Sequence, residues 1–143
     1  MKLFLDTSVL LAACGSSRGA SRFVLDVAPT QGWVLVSSPY CVAEVLRNLS
    51  KLGVHAVKAW ETHVQSRFDL VADTWTLDVP VKIPQKDRPV LMSALSHQCD
   101  FLLTLDRADF DAFFEQGVCG MGVITPGAFV RSRRERGLQA KDD

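Results

Sequence analysis

Several features that would classify this chain quickly are missing from its sequence. The four cysteines are widely spaced, with no Cys-x-x-Cys pair and no histidine pattern beside them, so neither a disulfide framework nor a zinc site is expected. Such cysteine usage is typical of a reducing compartment, and we expect the protein in the cytoplasm. A Gly-rich phosphate loop and a GxGxxG dinucleotide motif are also missing. The three histidines, His55, His63 and His97, are scattered along the chain, which argues against a histidine-based catalytic site.

Long apolar runs are missing too. No stretch approaches the ~20 apolar residues that cross a bilayer as a helix, so we expect no contact with a membrane. The segment Leu11–Cys14 is similar to a lipoprotein cleavage box, but Asp6 would then stand inside the membrane-inserting region at a cost of about 2.5–3.5 kcal/mol. The first residues are therefore expected to form a strand followed by a helix.

Neither sign of charge is in excess. Sixteen basic and sixteen acidic residues give a net charge of zero, which argues against a basic coat for nucleic acid but is compatible with a nuclease that holds its substrate through metal ions. A length of 143 residues and an apolar content of 48% favour one domain with a true core. We expect that domain over residues 1–130, followed by an arginine-rich and partly disordered tail over 131–143.

Short apolar runs alternate with segments of helical character. Alternation of this kind predicts an α/β fold with a parallel sheet covered on both faces. The segment 69–84 is expected to be extended, as an edge strand or a loop. Strands are predicted near 2–6, 33–37, 101–105 and 122–125, and helices near 7–13, 20–28, 39–52, 54–67, 88–98 and 108–115 and after Pro126.

Two aspartates follow predicted strands directly. Asp6 ends the first strand and Asp106 follows the strand at 101–105, and parallel α/β sheets bind ligands at these carboxyl ends. Two such charges ~4 Å apart repel by about 4 kcal/mol at an effective dielectric constant of 20, so a shared site needs a cation. Because the ligand atoms would all be oxygens, Mg²⁺ or Mn²⁺ fits better than zinc. Asp6 could equally serve as the N-cap of the next helix.

The remaining candidate acids also have ordinary structural explanations. Glu44 could form a surface ion pair with Arg47, three residues further along a helix. Asp87 could cap the helix that follows it. Asp106 could be a turn residue, with Asp109 capping the next short helix. Each signal is weak alone, but the joint placement of these acids favours a common site.

Four segments, taken in order, resemble one known family. They are LFLDTSVLLAA, SSPYCVAEVLRNL, KDRPVLMSALSHQCDFLLTLDRADF and VITPGAFV, and together they resemble the PIN domain family, in particular its toxin-like, VapC-related branch. The most specific part is D-x-P-V-L followed by an apolar strand and T-x-D. The resemblance implies a three-layer α/β/α sandwich around a short, mainly parallel sheet, and Mg²⁺- or Mn²⁺-dependent cleavage of RNA.

The resemblance also implies roles for individual residues. The principal acids, expected to act as metal ligands and in catalysis, are Asp6, Glu44, Asp87 and Asp106. Asp109 is similar to an additional metal-binding acid of many members. The hydroxyl positions that would orient metal-bound water or phosphate are Thr7, Ser8 and Thr104. Ser8 stands where the family often has asparagine, which is a familiar variation.

The leading hypothesis is therefore a metal-dependent endoribonuclease that is the toxin of a toxin–antitoxin pair. It predicts an RNA substrate and an antitoxin protein as partner, and the resemblance implies a homodimer. One alternative is a PIN nuclease of RNA processing that is not a toxin, and another is a catalytically silent module that binds RNA or protein. A phosphatase with a strand-end aspartate is a further class, but its haloacid-dehalogenase-like form needs a second aspartate where Ser8 stands.

Overall fold

Five short strands form one parallel sheet in the computed structural model, which describes residues 1–79 and 81–138. The strand order is β3-β2-β1-β4-β5, and all four pairings are parallel. The strands are β1 (Lys2–Leu5), β2 (Val34–Ser37), β3 (Asp69–Leu70), β4 (Phe101–Leu103) and β5 (Gly122–Ile124). The predicted α/β class is confirmed, and β1 lies at the centre of the sheet.

Eight α-helices connect and cover these strands in the described part of the chain. They are α1 (Thr7–Gly15), α2 (Ala20–Gln31), α3 (Pro39–Asn48), α4 (Val54–Ala59), α5 (Arg88–Ser96), α6 (Arg107–Phe110), α7 (Phe113–Gln116) and α8 (Pro126–Arg133). A 3₁₀ turn at Leu49–Leu52 follows α3, and π-helical turns at Trp60–Val64 and Arg134–Leu138 follow α4 and α8. No helix among these residues is long and apolar enough to cross a membrane.

The sheet carries an apolar cluster on each face. Along β1, Leu3 and Leu5 belong to one cluster and Phe4 to the other, as the alternation of side chains along a strand requires. Helices α1, α2, α4 and α8 contribute to the first cluster, α5 and α6 to the second, and α3 to both. Helices on both faces of a parallel sheet confirm the predicted three-layer sandwich.

Helix α2 is longer than the sequence predicted. The sequence predicted a helix near 20–28, but the helix continues through Pro29 to Gln31 and ends at Gly32, which has the left-handed φ of 72° that favours glycine. Proline has no N–H to donate to the carbonyl group four residues before it, here that of Leu25. This carbonyl oxygen instead accepts a hydrogen bond from Nη1 of Arg67 at 3.4 Å. A distant side chain thus replaces the missing helical hydrogen bond.

Other predicted elements are divided or shortened. The helix predicted at 54–67 is α4 followed by the π-helical turn Trp60–Val64, and the one predicted at 108–115 is two short helices, α6 and α7. Among the described residues of the segment 69–84, only Asp69–Leu70 pairs with the sheet, at its edge, as expected of an edge strand. Apolar side chains of this segment pack on the second cluster, namely Val71, Leu77, Val79, Val81 and Ile83.

The arginine-rich end of the chain begins inside a helix. Arg131 and Arg133 belong to α8, and the guanidinium of Arg133 lies 5.5 Å from the centre of the Phe129 ring. Arg134 lies 5.3 Å above the Phe23 ring. The division into a domain at 1–130 and a tail stays a prediction, and residues 139–143 lie outside the described residues.

Candidate metal centre

Asp6 is the junction between the central strand and α1. Its backbone is extended (φ −68°, ψ 159°), and its Oδ1 accepts a hydrogen bond from the backbone N–H of Thr7 at 2.7 Å, so it is the N-cap of α1. Its Oδ2 accepts hydrogen bonds from the hydroxyl groups of Thr104 at 2.6 Å and Ser8 at 3.2 Å. The side chain is 7% exposed. The cap role and a place in an acidic site are therefore compatible.

Burial raises the pKa of Asp6 above its ordinary value. The three hydrogen bonds from Thr104, Thr7 and Ser8 favour the charged carboxylate, but the loss of solvation outweighs them. The negative charge of Asp106 raises the pKa of Asp6 further. A cation bound beside the two carboxylates would reverse this preference.

Two hydroxyl groups join the ends of β1 and β4. The buried Thr104 donates to Asp6 and accepts a hydrogen bond from the backbone N–H of Asp106 at 3.0 Å. The Ser8 hydroxyl accepts a hydrogen bond from the backbone N–H of Leu105 at 3.0 Å. Because each hydroxyl bridges a carboxylate and a backbone group, the position of Asp6 relative to β4 is closely defined. The third predicted hydroxyl, that of Thr7, lies in the same cleft but donates to the Cys41 carbonyl oxygen at 3.4 Å.

Three acidic side chains, those of Asp87, Asp106 and Asp109, lie close enough together to hold one metal ion. One carboxylate oxygen from each lies within 4.8 Å of the other two. Asp106, not Asp109, caps α6, because its side chain accepts a hydrogen bond from the Asp109 N–H at 3.1 Å. Asp87 stands at the N-cap position of α5, but its side chain makes no capping hydrogen bond, so the alternative explanation of Asp87 as a cap is not supported. Lys86 Nζ lies 3.2 Å from an Asp109 carboxylate oxygen.

Asp87 has the most perturbed carboxyl group of the cluster. Burial first, and then the adjacent carboxyl group of Asp109, raise its pKa from 3.8 to about 7. The pKa of Asp109 is lowered, chiefly by hydrogen bonding from Asp87, and also from Asp106 and Lys86. The two carboxyl groups therefore titrate as a pair, and burial favours the protonated form at Asp87.

Glu44 lies on another wall of the same cleft but outside the three-acid cluster. Its side chain forms an ion pair with Arg47, the surface pair that the sequence also allowed. The cleft has a volume of about 350 Å³. It is lined by Asp6, Thr7, Ser8, Leu11, Tyr40, Glu44, Asn48, Lys86, Asp87, Val90 and Asp106. Asp6, Glu44, Asp87 and Asp106 thus all face one space at the carboxyl edge of the sheet, as parallel strand ends predict.

The sequence profile of the PIN domain matches residues 2–108, and all four principal acids lie within that range. The chain belongs to the PIN domain family. No curated protein sequence matches it.

Solved structures share the fold of this PIN domain. The VapBC2 structure from Rickettsia felis, described as bound to a DNA fragment from the promoter, has a TM-score of 0.61 at 13% identity, covering 86% of this chain and 97% of that one. FitAcB from Neisseria gonorrhoeae has a TM-score of 0.57 at 16% identity, covering 87% and 98%. Mycobacterium tuberculosis VapC20, described as a toxin that cleaves the sarcin-ricin loop, has a TM-score of 0.54 at 17% identity, covering 84% and 98%. At these identities the likeness shows the fold.

The donor set of this PIN domain suits a hard divalent cation. One carboxylate oxygen each from Asp87, Asp106 and Asp109 lies within 4.8 Å of the other two, so the three oxygens are close enough to be gathered by one ion, and oxygen ligands are those that Mg²⁺ prefers. In addition, Oδ2 of Asp87 is buried and has no hydrogen-bond partner in the described part of the chain. A buried carboxylate oxygen without a donor is costly, and a cation would satisfy it.

Sequence reasoning missed three polar residues of the PIN-domain cleft. Lys86 precedes Asp87 directly, and its charge beside an acid was a usable signal. Asn48 is four residues after Glu44, so helical spacing places both on one face of α3. Nothing in the sequence indicated that Tyr40 lines the cleft. Its hydroxyl group donates a hydrogen bond to the carbonyl oxygen of Lys86 at 2.6 Å, and these residues are 46 positions apart in the chain.

Proposed function

We propose that this PIN domain is a Mg²⁺- or Mn²⁺-dependent endoribonuclease that cleaves RNA phosphodiester bonds. The observation that carries the proposal is the convergence of Asp87, Asp106 and Asp109 beside the buried Asp6, with an unpartnered oxygen on Asp87. Crowding of these acids raises the pKa of Asp87, and strongly perturbed carboxyl groups in a cleft are typical of functional sites.

The roles of the residues follow from their positions. Asp6, Asp87 and Asp106 would hold the ion, with Asp109 as a further ligand. The ion would supply a positive charge that activates water and stabilises the charge that develops on the phosphate. Ser8 and Thr104 hold the carboxylate of Asp6 in one orientation, and Lys86 presents an ammonium group at the rim of the cleft, where it can contact a substrate phosphate.

Glu44 would act as a metal ligand only after leaving its ion pair with Arg47. Exposed ion pairs such as Glu44–Arg47 contribute at most about 1 kcal/mol, so a cation in the cleft can compete for the Glu44 carboxylate. Released from Arg47, Glu44 would complete the acidic set from α3. Arg47 would then be free to contact the RNA backbone.

We further propose that the protein is the toxin of a toxin–antitoxin pair and forms a homodimer in the cytoplasm. Support comes from the fold shared with VapBC2, VapC20 and FitAcB. Large apolar side chains are also exposed along the path from α3 to α4, namely Leu46 (56%), Leu52 (48%) and Val54 (82%), which a protein partner could cover. A nuclease of RNA processing would share the site but would need no antitoxin.

Metal dependence is tested with purified protein and labelled RNA. We expect cleavage with Mg²⁺ or Mn²⁺, no cleavage in excess chelator, and a loss of at least about 100-fold in Asp6→Asn, because the amide cannot supply an anionic ligand. Asp78→Asn is the matched control, since Asp78 is an exposed acid outside the cleft. Undiminished cleavage in chelator, or by Asp6→Asn, would rule out the proposed chemistry.

A further inference from the structure

A second cavity lies outside the metal centre, between α1, α2 and α4. We call it the Arg22 pocket; its volume is about 340 Å³, and its walls include Arg22, Lys58, His55, His63 and Thr62. No carboxylate lines it among the described residues. Three kinds of cationic or protonatable side chain therefore face one space without a negative charge beside them. In a chain of zero net charge, this is a local concentration of positive charge.

Arg22 is the residue that makes this cavity unusual. It is only 8% exposed, and its Nε donates a hydrogen bond to the Ala13 carbonyl oxygen at 2.9 Å. That contact satisfies one of the five N–H donors of Arg22 and places its positive charge at the C-terminal end of α1. The acid one helical turn further along, Asp26, pairs with Arg67 at 3.5 Å instead. Arg22 has no ion pair within the described part of the chain, although a buried charge normally requires one.

Helix α1 connects this pocket to the acidic cleft. Thr7 and Leu11 line the cleft, whereas Cys14 and Gly15 line the Arg22 pocket. These four residues lie at positions i, i+4, i+7 and i+8, which is a single face of a helix. The rise from Thr7 to Cys14 is about 10 Å. Both cavities therefore open along the same face of α1.

We propose that the Arg22 pocket binds a backbone phosphate of the RNA strand whose scissile phosphate lies in the acidic cleft; this inference rests on the proposed ribonuclease function. A strand laid along α1 would cross from one cavity to the other within a few nucleotides, since a helical strand carries a phosphate about every 3.4 Å. A guanidinium fork suits phosphate oxygens, and Lys58 and the two histidines add charge at the rim. An acidic cleft repels RNA, so a cationic contact beside it would add affinity to that of Lys86 at the rim of the cleft.

The first experiment uses inorganic phosphate and the three histidines of the protein. His55 and His63 line the pocket, whereas His97 lies elsewhere, with Nε2 2.9 Å from the Ala72 carbonyl oxygen. We expect phosphate to shift the ring resonances of His55 and His63 in a saturable manner and to leave that of His97 unchanged. Lys58→Gln should weaken this binding severalfold. Equal shifts at all three rings, or none, would overturn the proposal.

The second experiment measures binding of a fluorescent single-stranded RNA in excess chelator. Lys58→Gln should weaken binding severalfold and reduce the slope of log K against log salt by about 0.7. Lys82→Gln is the matched control, because Lys82 is exposed and lines neither the pocket nor the acidic cleft. Arg22→Lys, checked for folding by its melting curve, should also weaken binding, because it keeps the charge but loses the fork. Unchanged RNA affinity in Lys58→Gln despite phosphate binding would overturn the proposal and indicate a free phosphate compound as ligand.

The two hypotheses fail in different ways. RNA binding is measured without metal, so RNA that is bound through Lys58 but never cleaved would count against the nuclease and for the pocket. Cleavage by the wild type with unaltered RNA affinity in Lys58→Gln would count against the pocket alone. If an acidic peptide, such as an oligoglutamate, displaced phosphate while RNA did not, the pocket would belong to a protein partner and the proposal would be wrong.

Discussion

The carboxyl group of Asp87 is partly buried and lies beside the carboxyl group of Asp109, and its Oδ2 has no hydrogen-bond partner among residues 1–79 and 81–138. Its pKa of about 7 in the folded protein lies above its ordinary value of 3.8. The folded state therefore binds this proton more tightly than the unfolded chain does. The resulting contribution to stability is fully present below about pH 4 and is lost as the pH rises through about 7.

Asp87→Asn should remove this pH dependence. In chelator, we expect the free energy of unfolding of the variant to gain on that of the wild type by about 1–2 kcal/mol between pH 5 and pH 8, less than the full shift implies because the group is partly solvated. Asp6, whose raised pKa acts in the same direction, is present in both proteins, so their difference reports on Asp87 and its neighbour. Denaturation curves at each pH, with Asp78→Asn as control, measure it. A parallel pH dependence in wild type and Asp87→Asn would contradict the prediction.

The sequence predicted which acids share the site better than it predicted the contacts that these acids make. Asp6 and Asp106 could be placed together because parallel strands end at one edge. The contact between Asp87 and Asp109 could not be predicted, since it depends on how the segment before α5 packs on the second cluster. The ion pair between Lys86 and Asp109 could not be predicted either, because it depends on the same segment.

Among the helices, α2 shows that local sequence signals do not always predict where a helix ends. Pro29 is a common sign of a helix end, yet the helix continues through it, and Arg67 supplies a donor to the Leu25 carbonyl oxygen from 42 residues away. The divided helices show the same limit, because apolar spacing in 54–67 does not separate an α-helix from a π-helical turn. Strand order is likewise a property of the packed sheet rather than of any one strand.

Helix α2 offers a test by a double-mutant cycle. Arg67→Ala should destabilise the wild type by about 1 kcal/mol, because it leaves the Leu25 carbonyl oxygen without its donor. In a Pro29→Ala background the restored N–H can satisfy that oxygen, so the same substitution should cost about 0.5 kcal/mol less. The ion pair of Arg67 with Asp26 is lost in both backgrounds and cancels. Equal costs in chemical denaturation would show that Arg67 does not compensate for Pro29.

At the scale of the whole molecule, metal binding and folding are coupled. An ion that binds only the folded protein stabilises it by about 2.7 kcal/mol when its free concentration is ~100 times the dissociation constant. We expect Mn²⁺ to raise the melting temperature of the wild type and of Asp78→Asn, but not that of Asp87→Asn/Asp106→Asn. An equal rise in the double variant would place the ion elsewhere, and no rise in the wild type would count against a metal site.

The hydrogen bond from Thr104 to Asp6 joins residues 98 positions apart, from the central strand β1 to its neighbour β4. During synthesis, β1 leaves the ribosome first and must wait for β4 before the acids can meet. At ~5–20 residues per second, that interval is on the order of 10 s. Over that interval a nascent chain carries Asp6 without Asp106 and Asp109, so the ribonuclease activity that we propose would not yet act on the message or the ribosome that is producing it.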